Sequence, residues 1–348
     1  MNHLHVVVPD GIDDPARPSG GNTYDRRLCR ALGSLGWSVH EYPVPGFWTR
    51  PGAASFTALH GAVDRIPDGA VVLLDGLIAS TAPNVLVPQA RRLRLVVLVH
   101  MPLGHRRQDA ELRQPERAVL AAAAAVVTTS MWARRRLIEL YRLPAHRVHV
   151  AEPGVDAAEL ATGTVAGGAL LCVAAVTFDK GHDLLLAALE SISKLSWRCV
   201  CVGSVERDPA FVDSLRRPSL DGRVSFPGPR TGADLDREYA AADLLMLPSR
   251  TETYGMVVTE ALARGVPVVA AEVGGVSEAL GEGADGIRPG LLVPPADPVA
   301  LGAALRAWLA DAELRSRLRR AAGERRESLP RWSTTASVVA GVLAEATR

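Results

Sequence analysis

The stretch Pro248–Leu280, P-S-R-T-E-T-Y-G-M-V-V-T-E-A-L-A-R-G-V-P-V-V-A-A-E-V-G-G-V-S-E-A-L, decides the reading of the fold. Just before it, Asp243–Leu247 (D-L-L-M-L) is a short apolar run that reads as a buried strand. A polar turn, Ser249–Thr253, follows. Gly255 then opens a predicted helix that runs to about Arg264 and is stopped by Gly265 and Pro267. Val266–Ala271 reads as the next buried strand, and Gly274–Gly275 as a turn before another short helix. Strand, loop, helix, strand, loop, helix is the rhythm of a parallel α/β unit, in which ligands bind at the carboxyl ends of the strands.

The loop Glu252–Met256 lies at such an end. Free backbone N–H groups at a helix start suit a phosphate, and Gly255 lets the chain approach one without an intervening side chain. Helical side chains lean toward the N-terminus, so the Glu260 carboxylate can reach hydroxyls beside that phosphate. Ser249-x-x-Glu252 also fits a capping box, which would only start a helix. Taken together, the glutamates, Gly265-x-Pro267-Val-Val269 and Gly274-Gly-x-x-Glu278 resemble the retaining glycosyltransferases of family 4 and their E-x7-E pattern.

Working outward, 348 residues with 48% apolar side chains favour two domains. A formal net charge of +1 argues against a nucleic-acid partner. The arginine clusters at Arg134–Arg136 and Arg315–Arg326 read as solvated helix faces. Cys29, Cys172, Cys199 and Cys201 have no zinc or disulfide-framework spacing and read as buried thiols in a reducing cytoplasm. The N-terminal M-N-H-L-H-V-V-V-P-D is expected to be a first strand and not a signal peptide, and no apolar run approaches the roughly 20 residues of a membrane span. A cytoplasmic protein, with transient membrane-surface contact left open, is expected.

The first half opens with a strand at Leu4–Val8, a loop Asp10–Asn22 and a helix Tyr24–Gly36. Further strands are expected at Ala70–Leu74, Leu95–His100, within Val119–Thr129 and at Val148–Ala151, with a helix at Ser130–Tyr141. His100 stands at the carboxyl end of its strand, and His105, Arg106 and Arg107 follow in a loop that could meet an acceptor. The small-residue segment Ala157–Gly168 is expected to carry the domain boundary. The rhythm then restarts, with strands at Ala169–Val176, Arg198–Gly203 and Val224–Phe226 and helices at Asp183–Leu195 and Ala233–Ala242. Asp297–Arg326 reads as helical and Trp332–Ala346 as a terminal helix. No D-x-D occurs, and the adjacent Asp13–Asp14 cannot converge on one ion, so no metal is expected. His182-Asp183 reads as a helix cap. The absence of G-x-G-x-x-G after a strand counts against a nicotinamide enzyme.

The resemblance implies the GT-B fold: two doubly wound Rossmann-like domains facing a cleft, an acceptor-side domain over 1–160, a nucleotide-sugar domain over 161–330, and a helix 331–348 returning to the first. It implies a metal-independent retaining hexosyltransferase with a nucleoside diphosphate sugar as donor, no cofactor, and a small-molecule, lipid or glycan acceptor. Lys180-Gly181 matches the lysine-glycine pair that binds the donor diphosphate, a point charge suited to phosphate. The resemblance further implies Glu252 at the sugar, Glu260 at the ribose, His100 at the sugar from the other domain, and Gly20–Gly21, Gly255 and Met256 at the donor. No protein nucleophile is implied; in the family the leaving phosphate is thought to help deprotonate the acceptor. This chain departs from the pattern twice. Pro153 replaces the usual asparagine in Glu152-Pro-Gly-Val-Asp156. Ala175 stands where most members place a second phosphate-binding arginine, and Arg230 in the Gly228–Thr231 loop is the candidate to replace it. The rival readings are an epimerase or phosphorylase of the same fold, or a nucleotide-sugar-binding module without catalysis.

Overall fold

The structure is a computed structural model that describes residues 2–105 and 107–347. Its chain forms two compact units. The first takes the chain to Gly154, apart from Pro15–Pro18, and again from Pro330 onward; the second comprises Val155–Leu329 with Pro15–Pro18.

The first unit holds a six-stranded sheet of β1 (Asn2–Pro9), β2 (Trp37–Val44), β3 (Val71–Asp75), β4 (Arg94–Val99), β5 (Ala125–Thr128) and β6 (Val148–Val150) in the order β2-β1-β3-β4-β5-β6. The second unit holds β7 (Ala169–Val173), β8 (Arg198–Val202), β9 (Val224–Gly228), β10 (Leu244–Leu247), β11 (Val268–Ala271) and β12 (Gly290–Val293) in the order β12-β11-β10-β7-β8-β9. Every pairing is parallel. Parallel strands covered by helices on both faces are apolar throughout. Leu95–Val99, Val71–Leu74 and Leu244–Leu247 accordingly sit in the cores.

Strand order reverses once in each sheet, between β1 and β3 in the first and between β7 and β10 in the second. At such a reversal the loops diverge to opposite faces and leave a crevice at the carboxyl edge. Both doubly wound sheets are as expected. Two edge strands, β2 and β12, lie outside the expected elements. The Asp297–Arg326 segment is two helices, Pro298–Ala310 and Ala312–Glu327, divided at Asp311. Asp311 caps the second by accepting from the Glu313 and Leu314 amides. The helix Trp332–Ala346 belongs to the first unit, where it packs on the helix Gly20–Ser34 and on β4 and β5.

Candidate active site

In the second unit the β7 and β10 loops meet. After β7 the chain makes a single 3-10 turn, Phe178–Lys180, and enters the helix His182–Ser191 through Gly181. Gly181 has φ +69°, and a Cβ there would overlap the carbonyl oxygen of Pro248. The two loops therefore touch backbone to backbone. Lys180 Nζ donates to Glu252 Oε1 at 2.5 Å, and Ser249 Oγ donates to the same oxygen at 2.9 Å. Ser249 thus orients Glu252 rather than capping a helix; the helix Met256–Leu262 has Gly255 as its N-cap, with no side-chain cap. Gly274, φ +56°, completes the arrangement, since a Cβ there would collide with the Glu252 carbonyl oxygen. This is a physical reason for the glycine of the G-G-x-x-E pattern.

Glu260 lies one turn into the Met256–Leu262 helix. Tyr239 Oη donates to its Oε2 at 2.8 Å, and Arg264 stacks on the Tyr239 ring. Burial pushes the Glu260 carboxyl above its ordinary range, although Tyr239 and Arg264 pull the other way. Arg230 is exposed and makes no ion pair or hydrogen bond among the described residues.

In the first unit, Gly20 and Gly21 start the helix after β1, with Ser19 as N-cap accepting from the Asn22 amide at 3.1 Å. A Cβ on Gly21 would stand 3.1 Å from His100 Cδ2, so this glycine makes room for the imidazole. His100 follows β4. Its Nε2–H donates to Asp25 Oδ1 at 2.7 Å, and Asp75 Oδ2 lies 4.0 Å away. Asp75 closes β3 and uses its other oxygen to accept from the Leu77 and Ile78 amides. Burial opposes a charged His100, but the charge and hydrogen bond of Asp25, and then Asp75, outweigh it and hold the proton above the usual histidine range. Burial and then the Asp25 charge push the Asp75 carboxyl up to about 7. Among the described residues these three side chains form the one group of at least three such ligands whose donor atoms could surround a metal ion. The His100 nitrogen facing the others is already engaged with Asp25 through a proton.

The loop beyond His100 rests on Glu116. This buried carboxylate accepts from the amides of Leu103 and Gly104, from Ser80 Oγ and from Tyr141 Oη. His105 accepts at Nδ1 from Arg136 Nε at 2.8 Å and meets Trp132 edge-on. Arg106 lies outside the described residues. His182-Asp183 is not a cap. Gly181 precedes the helix, and Asp183 binds Arg250 through both oxygens at 2.8 and 2.6 Å. Burial is outweighed by that pairing and by local amides, so the Asp183 carboxyl sits below its ordinary range. Arg250 also covers the Phe178 ring and donates to the Phe178 carbonyl. Asp25, Asp75, Tyr239 and Arg250 were not singled out from the sequence; Asp75 alone carried a visible signal, a carboxylate at a strand end. All four cysteines are buried free thiols. No described helix is long and apolar enough to cross a membrane.

Two family models match the chain: Glycosyltransferase Family 4 over residues 18–159, and Glycosyl transferases group 1 over residues 167–311. The chain is 32% identical over 291 residues to D-inositol 3-phosphate glycosyltransferase of Salinispora tropica, covering 75% of this chain and 59% of that protein. It is 36% identical over 248 residues to the protein of the same name from Kineococcus radiotolerans, covering 64% of this chain and 57% of that one. The chain thus spans less than two thirds of these relatives. Among solved structures, sucrose-phosphate synthase from Thermosynechococcus elongatus is similar with a TM-score of 0.80 at 21% identity, covering 99% of both chains. Anabaena HepE in complex with UDP-glucose gives 0.77 at 18% identity, covering 99% of this chain and 100% of that one. These likenesses show the GT-B fold.

Proposed function

Since the chain belongs to the family-4-type glycosyltransferases, we propose that it is a metal-independent retaining enzyme moving a hexosyl unit from a nucleoside diphosphate sugar to an acceptor hydroxyl. The observation that carries this reading is the Lys180–Glu252 pair at the strand-order reversal of the second sheet. It offers one cation and one carboxylate side by side, as a diphosphate bonded to a polyhydroxyl sugar requires. Lys180 takes the diphosphate and stabilises the charge that grows on it as the glycosidic bond breaks. The Gly255 and Met256 amides assist, and Arg230, which has no partner among the described residues, supplies the second cation that Ala175 does not. Glu252 accepts from sugar hydroxyls and Glu260 from the ribose. Gly20 and Gly21 leave room at the donor, and His100 donates to the sugar. No cofactor takes part. The acceptor is a small molecule, lipid or glycan, and the enzyme works in the cytoplasm, with transient membrane-surface contact for a lipid acceptor.

The test is a thermal-shift panel of nucleoside diphosphates and their sugars, followed by transfer assays on the stabilising donor in EDTA. Because relatives carry that name, D-inositol 3-phosphate belongs in the acceptor panel. A donor at 100 times its dissociation constant should stabilise the protein by about 2.7 kcal/mol. Transfer with the anomeric configuration kept, undiminished by the chelator, is the expected result. No stabilisation by any nucleoside diphosphate would overturn the reading, and loss of turnover in EDTA restored by Mg²⁺ would overturn its metal-free part.

A further inference from the structure

Three ionisable groups meet at the carboxyl edge of the first sheet, and they do not balance as a simple ion pair. Asp25 and Asp75 are 4% and 7% exposed, and among the described residues His100 is the one side chain in contact that can carry positive charge between them. Among the described residues, the surrounding elements bring no second cation. Tyr24, beside Asp25 on the same helix, is a phenol held neutral by burial and then by the Asp25 charge. Cys29, one turn on, is a thiol pushed up to about 12 by burial and then by Asp25 and Glu41. Arg26 gives its guanidinium to Asp13 and Glu41 instead. Beyond Asp75 the helix Gly76–Ala79 contributes backbone amides, and the returning helix contributes the Trp332 ring, which packs on Tyr24.

We propose that Asp25 and Asp75 are positioning residues that together keep His100 doubly protonated, Asp25 fixing Nε2–H so that Nδ1–H is left to donate to a substrate oxygen. The inference rests on the reading above in which His100 meets the donor sugar. Geometry supports each part. Asp25 makes the 2.7 Å bond. Asp75, at 4.0 Å with its other oxygen taken by two amides, adds negative charge without competing for the ring. Gly21 on one side and the edge-on Tyr24 ring, 5.2 Å away between centroids, fix the imidazole plane. The His100 side chain is 20% exposed, and its Nδ1 has no hydrogen-bond partner among the described residues. The protonation state decides what Nδ1 can do. In a neutral ring with hydrogen on Nε2, Nδ1 is only an acceptor. In the imidazolium it is a charged donor, whose hydrogen bonds are about twice as strong as neutral ones. Burial and then the Asp25 charge push the Asp75 carboxyl up to about 7, so its negative charge joins that of Asp25 on the ring as pH rises through that value.

The experiment follows the imidazole resonances of the full chain by NMR from pH 5 to 9, assigned with His100→Gln, in the wild type, Asp25→Asn and Asp75→Asn. Single-turnover transfer and nucleoside diphosphate affinity are measured over the same range. In the wild type His100 should remain protonated above neutral pH. Asp25→Asn should lower its midpoint by about one pH unit or more. The same variant should lose more turnover at pH 8 than at pH 6, with nucleotide affinity unchanged. Asp75→Asn, which keeps an oxygen for the two amides, should lower the midpoint less and serves if Asp25→Asn does not fold. An unshifted midpoint in both variants would overturn the proposal. So would a loss of turnover in Asp25→Asn by the same factor at every pH, the mark of a merely structural role. If the wild type transfers sugar from no donor, the proposed function fails, while the NMR midpoints still decide the protonation of His100.

Discussion

Glu252 and Lys180 are bonded to each other, so neither can be replaced without changing what the other does. A pair of this partial exposure contributes about 0.2–1 kcal/mol. Removing the carboxylate releases Lys180 for phosphate, and Glu252→Gln should therefore bind nucleoside diphosphate up to about fivefold more tightly while turnover collapses. Lys180→Ala should weaken diphosphate binding and slow the chemical step together, since its charge faces one that grows in the transition state. Calorimetry with single-turnover rates separates the two, and a Glu252→Gln protein that binds nucleoside diphosphate more weakly than wild type would contradict the pairing argument. Glu260 makes a different prediction. Its carboxyl is raised above the ordinary range by burial, with Tyr239 opposing. Only the carboxylate accepts well from ribose, so nucleotide affinity should fall as pH drops through this raised value, sooner than for an ordinary glutamate. Tyr239→Phe removes a donor to the charged form, contributing about 1.5–3 kcal/mol. The fall should then begin at higher pH in that variant, as read from dissociation constants between pH 4 and 8. Identical pH curves for the two proteins would argue against this role for the Tyr239 hydroxyl.

At the scale of elements, the second-unit site is three loops held by two close backbone approaches, Gly181 against Pro248 and Gly274 against Glu252, and by the Arg250 guanidinium, which ties Phe178 and Asp183 to the loop after β10. Gly274→Ala should cost about 1–3 kcal/mol, the strain of an L-residue at that φ. It should also displace Glu252, reducing turnover more than nucleotide affinity. Thermal unfolding and steady-state kinetics read the two effects, and unchanged kinetics would mean that the loop tolerates the added methyl. These loops mark the limit of what the chain alone discloses. The buried strands were legible because Leu95–Val99 or Leu244–Leu247 are unbroken apolar runs. At the sheet edges, β2 (W-S-V-H-E-Y-P-V) alternates and contains Pro43, and β12 is four residues after a polar loop, so neither carries that signal. Glu252 and Glu260 stood out by their spacing, and Lys180 by the resemblance that its Lys-Gly pair carries. Asp25, Tyr239 and Arg250 did not, because their meaning comes from partners 21 to 75 residues away, brought together by strand order. The Asp183 cap failed for the same reason: a local signal was overridden by a guanidinium from the loop after another strand.

On the scale of the whole molecule, the last 19 residues belong to the unit that the chain left at Gly154. Sequence periodicity places a helix over Trp332–Ala346; its destination follows from what it covers. Val339, Val342 and Leu343 are buried, Thr335 Oγ1 donates to the Glu152 carbonyl at 2.7 Å, and a Cβ on Gly154 would strike the Trp332 backbone. The Trp332 ring meets Tyr24 edge-on, and Tyr24 in turn borders His100. Burying three such apolar side chains contributes about 1.5–3 kcal/mol each, a total comparable with the whole stability of a typical domain. A chain ending at Leu329 should therefore lose the cooperative unfolding of its first unit. Val339→Asp should do nearly the same by placing an unpaired charge in that contact. The residues assigned to the nucleotide lie in the second unit, so both variants should still bind nucleoside diphosphate while transferring no sugar. Hydrogen exchange resolved by segment checks this directly. Fast exchange should spread over β1, β3, β4 and the Gly20–Ser34 helix, with β7, β10 and β11 protected as in the wild type. If the first-unit strands keep their protection in both variants, the returning helix is an appendage and not part of that unit's core.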